Sequence, residues 1–174
     1  MEPRPFQDEF AQIGVHQCWG CGSQNEHGLQ IKSFWEGDEG VCAWQPQLYH
    51  QAWPGMVNGG ILAAIIDCHC TCTAIAAAYR AAHRAITTLP LIGMVTAELR
   101  ISYLRPTPIA EQLHLRATMR EQTERKTILA CTLSALGEVC VRAEAVVVRP
   151  RASPDASRAW QGCAAIPPLV GSRA

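Results

Sequence analysis

Residues 54–67 read "PGMVNGGILAAIID". A proline and paired glycines lead into small and aliphatic residues, and the run closes on an aspartate in the most apolar part of the chain. From Gly59 to about Tyr79 there is no strong helix breaker and alanine dominates, which predicts one long helix. Asn58 is a favoured N-cap type, able to accept a hydrogen bond from a first-turn N–H. At 100° per residue, Asp67 shares a face with Gly60, Ala63, Ala64, Cys70, Thr71 and Ala74. Leu62, Ile65, His69, Cys72 and Ala76 lie opposite and are expected to pack on a sheet. A carboxylate among small residues leaves room for a substrate, or for the same helix of a second subunit.

The helix start carries its own chemistry. Gly59 and Gly60 leave the first N–H groups unshielded at the positive end of the helix, where they can polarise a carbonyl oxygen. Seven residues of helix separate Gly60 from Asp67, about 10 Å at 1.5 Å per residue. A reacting carbonyl needs its donor and its attacking group each about 3 Å away. One copy of the helix does not span that gap. Two antiparallel copies across a two-fold axis do, each lending its N-terminus to the other's carboxylate.

Outward from this helix the chain reads as strands. "LQIKSFWEGDEGVCAW" predicts a hairpin turning at Gly37–Gly40. "GMVTAELRISYLRP" sets Val95, Ala97, Leu99, Ile101 and Tyr103 against Thr96, Glu98, Arg100 and Ser102. "QLHLRATM", "TILACTLSAL" and "EVCVRAEAVVV" alternate likewise, the last two joined at Gly137. About six strands around one long helix predict an α+β fold with an antiparallel sheet wrapped around or packed on the helix. Residues 1–27 read as an N-terminal capping or loop segment, 28–149 as the folded domain, and 150–174 as a Pro/Ser/Ala-rich tail.

Length and composition bound the rest. The 174 residues suffice for one domain, and fractions of 48% hydrophobic and 17% charged residues describe an ordinary globular chain. Fifteen basic residues balance fifteen acidic ones without a basic stripe, so no nucleic-acid partner is expected. The start "MEPRPFQDEF" does not read as a secretory signal. Asn58, Asp67, His69 and Arg80 interrupt the apolar region, so no membrane partner is expected. Nine cysteines, an odd count, fit reduced thiols in the cytoplasm better than a disulfide framework.

Four segments in order resemble the hotdog-fold acyl-CoA thioesterases, in particular the branch near the phenylacetic-acid-pathway thioesterases. They are "CWGCGSQNEHGL", "YHQAWPG", "PGMVNGG" with an acid eight residues after its first paired glycine, and "TAELRISYLRPTP". The resemblance implies an antiparallel sheet wrapped around the central helix, a homodimer or homotetramer with shared active sites, and cleavage of an acyl-CoA. It implies that Asp67 attacks the thioester carbonyl or activates a water, while the partner chain's Gly59 or Gly60 N–H holds the oxygen. It implies no cofactor beyond the CoA of the substrate, and substrate contacts from Thr71, Thr107, Arg105, Arg125 and Lys126. Where the family usually has histidine, Asn58 stands here. It still caps and donates a hydrogen bond but takes up no proton. His50 is a further polar candidate for the site. The competing reading is a hotdog protein that binds acyl-CoA or another small ligand without cleaving it.

Two cysteine groups invite a metal. "CWGC" supplies half a zinc site, for which His16, His27 and Cys42 are available to complete the set, but no second CxxC exists. In "DCHCTC", Asp67 and His69 point about 200° apart on a helix and cannot share an ion, whereas Cys68 and Cys72 share a face and read as core. The expectation is no metal, with a structural knuckle at Cys18–Cys21 and a core histidine at His69.

Overall fold

A computed structural model describes residues 4–12 and 16–150. The tail expected over 150–174 therefore lies almost wholly outside the described residues. The elements are α1 (Phe6–Ala11), β1 (Ser33–Glu36), β2 (Glu39–Trp44), a short 3-10 turn (Leu48–His50), α2 (Gly59–Ala81), β3 (Val95–Tyr103), β4 (Leu113–Gln122), β5 (Lys126–Ala135) and β6 (Glu138–Val148). The strands form a single antiparallel sheet in the order β1-β2-β4-β5-β6-β3. With one long helix packed on that sheet, this is the α+β hotdog arrangement.

The alternating residues do what a half-buried strand requires. Leu113, Leu115 and Ala117 of β4, Leu129, Cys131 and Leu133 of β5, and Val141, Ala145 and Val147 of β6 are buried against Leu62, Ile65, Ile66, Cys70 and Ala74 of α2. Each large aliphatic side chain buried this way stabilises the fold by about 1.5–3 kcal/mol. Tight turns join the hairpins where backbone of positive φ is needed, at Gly37 (φ 61°) and at Leu136–Gly137 (φ 53° and 77°).

The N-terminal segment read as capping or loop contains α1, whose Phe6 and Phe10 pack against Cys72, Ala76 and Tyr79 of α2. Six residues are too few to show a period. Moreover, α2 is by length and composition long and apolar enough to cross a bilayer, its best 18-residue window having a mean hydropathy of 1.8. The sheet takes up that apolar surface instead: Ile65, Cys70 and Ala74 have no exposure at all.

Candidate active site

Asn58 ends the loop before α2 in extended backbone (φ −62°, ψ 132°) and turns its side chain onto the helix start. The Gly60 N–H donates to Asn58 Oδ1 at 2.8 Å, so that donor is occupied by the cap. The Gly59 N–H has no partner among the described residues. On its other side Gly59 is held by β3, since Tyr103 O–H donates to the Gly59 carbonyl at 2.8 Å. Of the two glycines, Gly59 is thus the one with a donor to spare.

Asp67 lies two turns further along α2, half-buried. Thr96 O–H donates to Asp67 Oδ1 at 2.5 Å, and Thr71 Oγ1 stands 2.8 Å from Thr96 Oγ1. Because the Thr96 proton is spent on the carboxylate, Thr71 is the donor in the second bond. The result is a relay from Thr71 through Thr96 to Asp67. It fixes one carboxylate oxygen and leaves Oδ2 without a partner among the described residues. No salt bridge among them involves Asp67. An anionic oxygen held in place yet unneutralised can act as a nucleophile or as a base.

The helix faces are close to expectation but rotated. Ala64, Asp67, Cys68, Thr71, Ile75 and Ala78 form the half-open stripe, whereas Cys70 and Ala74 are buried in the core. The stripe is centred between Ala64 and Thr71, about 50° from Asp67 at 100° per residue. The carboxylate therefore sits at its edge, against β3, and is not flanked by small residues alone. Thr71 serves the carboxylate through Thr96 rather than standing free for a substrate.

Other predicted contacts fall elsewhere. The His50 side chain does not reach the site: it is buried, its Nδ1 accepts from the Gln47 N–H at 2.9 Å, and its ring lies between Trp44 and Tyr49. Burial pushes its pKa down. It shapes the site through its backbone, the His50 carbonyl accepting the Asn58 N–H at 2.9 Å. Thr107 is buried, its hydroxyl without a partner among the described residues and its carbonyl accepting the Val57 N–H at 2.9 Å. Arg105 is exposed beside a shallow recess shared with Met56, Pro108 and Cys140, and is paired with Glu138. Arg125 is exposed in the β4–β5 turn, and Lys126 pairs with Glu121 at 3.0 Å.

Neither Thr96 nor Tyr103 was among the expected site residues. The metal expectations also shift. Cys42 is in the core, its thiol pushed up to about 12 by burial, and it is not what "CWGC" meets. That pair lies instead against Cys68 and Cys72 of α2.

Comparison with known proteins agrees with the fold. The family model for the thioesterase superfamily matches residues 54–141. A thioesterase superfamily protein from Shewanella loihica PV-4 is 37% identical, with a TM-score of 0.58 over 72% of this chain and 96% of that one. Acyl-coenzyme A thioesterase THEM4 of Rattus norvegicus is 29% identical over 115 residues, which is 66% of this chain and 44% of the relative. The chain spans between 44% and 60% of the length of the curated relatives it matches. A hypothetical thioesterase from Streptococcus pneumoniae, crystallised with coenzyme A, shares the fold at 14% identity and a TM-score of 0.54, over 65% of this chain and 82% of that one.

Proposed function

Since this chain belongs to the thioesterase superfamily, we propose that it hydrolyses an acyl-CoA thioester to a free acid and CoA, with Asp67 as the reacting group. The observation that carries this reading is the carboxylate itself, one oxygen tied to Thr96 and the other free at the edge of the half-open helix face. Asp67 Oδ2 either attacks the thioester carbonyl, giving an acyl-aspartate that water then hydrolyses, or takes a proton from the water that attacks. In both routes the C–S bond breaks, and the CoA thiolate leaves and takes up a proton.

The carbonyl oxygen is held by the Gly59 N–H of a second copy of the chain, because about 10 Å of helix separates the two groups within one copy. Two features support such an assembly. β3 is an edge strand with one side unpaired. The loop before α2 exposes Leu48, Tyr49 and Trp53 at 79%, 83% and 74%. Homodimer and homotetramer both satisfy this requirement. The relative crystallised with coenzyme A supports CoA as the carrier, and Arg105, Arg125 and Lys126 are the cations offered to its phosphates. The reaction needs no cofactor beyond that CoA. All eight described cysteines are free of disulfides, which supports a reducing, cytoplasmic setting.

The experiment is thiol release from a panel of acyl-CoA esters, short aliphatic to aryl, with wild type and Asp67→Ala side by side. Turnover that collapses in the variant is the expected result, and equal turnover in both overturns the role of Asp67. The second reading, a binding protein without hydrolysis, is favoured by one observation. Asn58 commits its side-chain oxygen to the helix cap and has no group that takes up a proton. Ligand-induced thermal stabilisation without any thiol release identifies that case.

A further inference from the structure

Four cysteines from two distant parts of the chain meet on one flank of α2, away from the Thr96–Asp67 contact. Cys18 Sγ is 3.6 Å from Cys68 Sγ, and Cys21 Sγ is 3.9 Å from Cys72 Sγ. The sulfurs of Cys18, Cys21 and Cys68 all fall within 4.8 Å of one another. Thiolates bound tetrahedrally to one zinc at about 2.3 Å stand about 3.8 Å apart along the edges of the tetrahedron. The two closest pairs already have that separation.

Cys21 is the hub of the group. Its sulfur lies 3.9 Å from Cys72 Sγ and within 4.8 Å of both Cys18 Sγ and Cys68 Sγ. Two independent disulfides would need only the two close pairs, whereas here a third sulfur, Cys21, also falls within 4.8 Å of both members of the Cys18–Cys68 pair. Packing of cysteines as small hydrophobes does not account for the group either, because Cys18 is exposed and Cys21 and Cys68 are half-buried.

The backbone around the first pair is shaped to fit. Gly22 N–H donates to the Cys18 carbonyl at 2.7 Å, winding the loop tightly around Cys18. A Cβ at Gly22 would lie 2.5 Å from the Cys18 nitrogen, and one at Gly20 would lie 2.3 Å from Cys68 Sγ. Only glycine at position 20 lets the knuckle press onto the helix cysteine. Behind the turn, the Trp19 and Gly20 carbonyls accept from the Leu29 and Ile31 N–H groups at 2.8 and 3.3 Å. The second pair is set by helical spacing, since residues four apart lie on the same face one turn apart.

We infer that Cys18, Cys21, Cys68 and Cys72 bind one structural zinc ion, which staples the N-terminal knuckle to the central helix. The ion replaces the thiol protons, which go to solvent, and no electrons move. Cys72, which reaches Cys21 but lies outside the tight group of three, closes the fourth position by a side-chain rotation. The sequence expectation of no metal is revised accordingly. A CxxC pair finds its partners not in a second CxxC but in a CxxxC on a helix 50 residues away.

The test is elemental analysis of the full chain, expressed with zinc in the medium and purified without chelator. About one zinc per chain is expected, falling to near zero in Cys18→Ser/Cys21→Ser and equally in Cys68→Ser/Cys72→Ser. Zinc retained in either double variant overturns the four-cysteine assignment, as does wild type without zinc. Should the variants fail to fold, cobalt(II) titration of wild type reads the site directly. Tetrahedral thiolate coordination gives intense thiolate-to-cobalt charge-transfer absorption, and its absence overturns the inference. So does a wild-type mass two hydrogens light per bridge with a matching loss of titratable thiols, the signature of disulfides.

Discussion

Thr96 Oγ1 lies 2.5 Å from Asp67 Oδ1, joining the edge strand β3 to the central helix. The contact exists because β3 is bulged. Thr96 pairs with Val147 and Glu98 with Val146, so Ala97 is an extra residue between them. Without the bulge Thr96 would face away from Leu99 and Ile101. With it, Thr96 shares their inward face, opposite Val147 as Leu99 is opposite Ala145. One inserted residue therefore aims a hydroxyl at the carboxylate.

Thr96→Val keeps the shape and removes the donor. A hydrogen bond to a charged group contributes about 1.5–3 kcal/mol, and the loss falls on the orientation of Asp67 rather than on substrate contact. The expected result is a fall in kcat of about tenfold or more, with KM little changed. Thr96→Ser should recover most of the rate because it restores the hydroxyl. Steady-state kinetics on both variants checks this, and a Val variant as fast as wild type would show that Thr96 does not position the carboxylate.

Asp67→Asn tests the charge with the volume conserved. Asn accepts from Thr96 through its carbonyl oxygen, so the relay and the fold survive. The side chain is only half-buried and makes no salt bridge, which leaves little stability to lose. Turnover should drop about 10²–10⁴-fold, the usual contribution of a positioned acid–base group. The melting temperature should stay within a few degrees. A variant that unfolds would instead make Asp67 a structural residue.

The helix, its cap, the six strands and the aspartate were legible because each follows from local rules: breaker-free spacing, an N-cap residue, period-two alternation. The partners of Asp67 were not, because they depend on a bulge that alternation alone cannot reveal. Strict alternation put Thr96 on the wrong face of its strand. His69 and Cys72 read correctly as core residues, but the contact of Cys68 and Cys72 with the Cys18–Cys21 loop was not legible, since that loop lies 50 residues upstream. His50 and Thr107 were placed near the site through their segments, and it is their backbone carbonyls that act there.

Gly40 shows how close β2 comes to α2. A Cβ there would lie 2.2 Å from Thr73 Oγ1 and 2.6 Å from its Cγ2, both on a fully buried side chain. Gly40→Ala should therefore cost about 1–3 kcal/mol, as overpacking does. Thr73→Ala removes both clashing atoms. In the double variant the two costs should sum to clearly less than the separate ones, a coupling of at least about 0.5 kcal/mol. Urea unfolding of the four proteins measures it, and strict additivity would mean that the helix simply shifts away.

His69 sets a pH limit on stability. Fully buried on α2, it has Nε2 3.1 Å from the Gly40 carbonyl and Nδ1 2.9 Å from Ser33 Oγ, whose hydroxyl also accepts from Gln7 Nε2 at 3.0 Å. Nε2 therefore carries the proton, and Nδ1 accepts from the Ser33 hydroxyl. Burial pushes the pKa down to about 4 from an ordinary 6.5. Between these values the unfolded chain binds a proton that the folded one refuses. The stability gained from a neutral His69 is complete above pH 6.5 and is lost as pH falls toward 4, by up to about 3 kcal/mol in all. His50, also pushed down by burial, adds a loss of the same sign. His69→Gln should be less stable than wild type at pH 7.5 yet show a visibly shallower decline between pH 6.5 and 5, where carboxylates contribute little. Chemical unfolding of both proteins across that range decides the matter, and identical slopes would remove His69 as the cause.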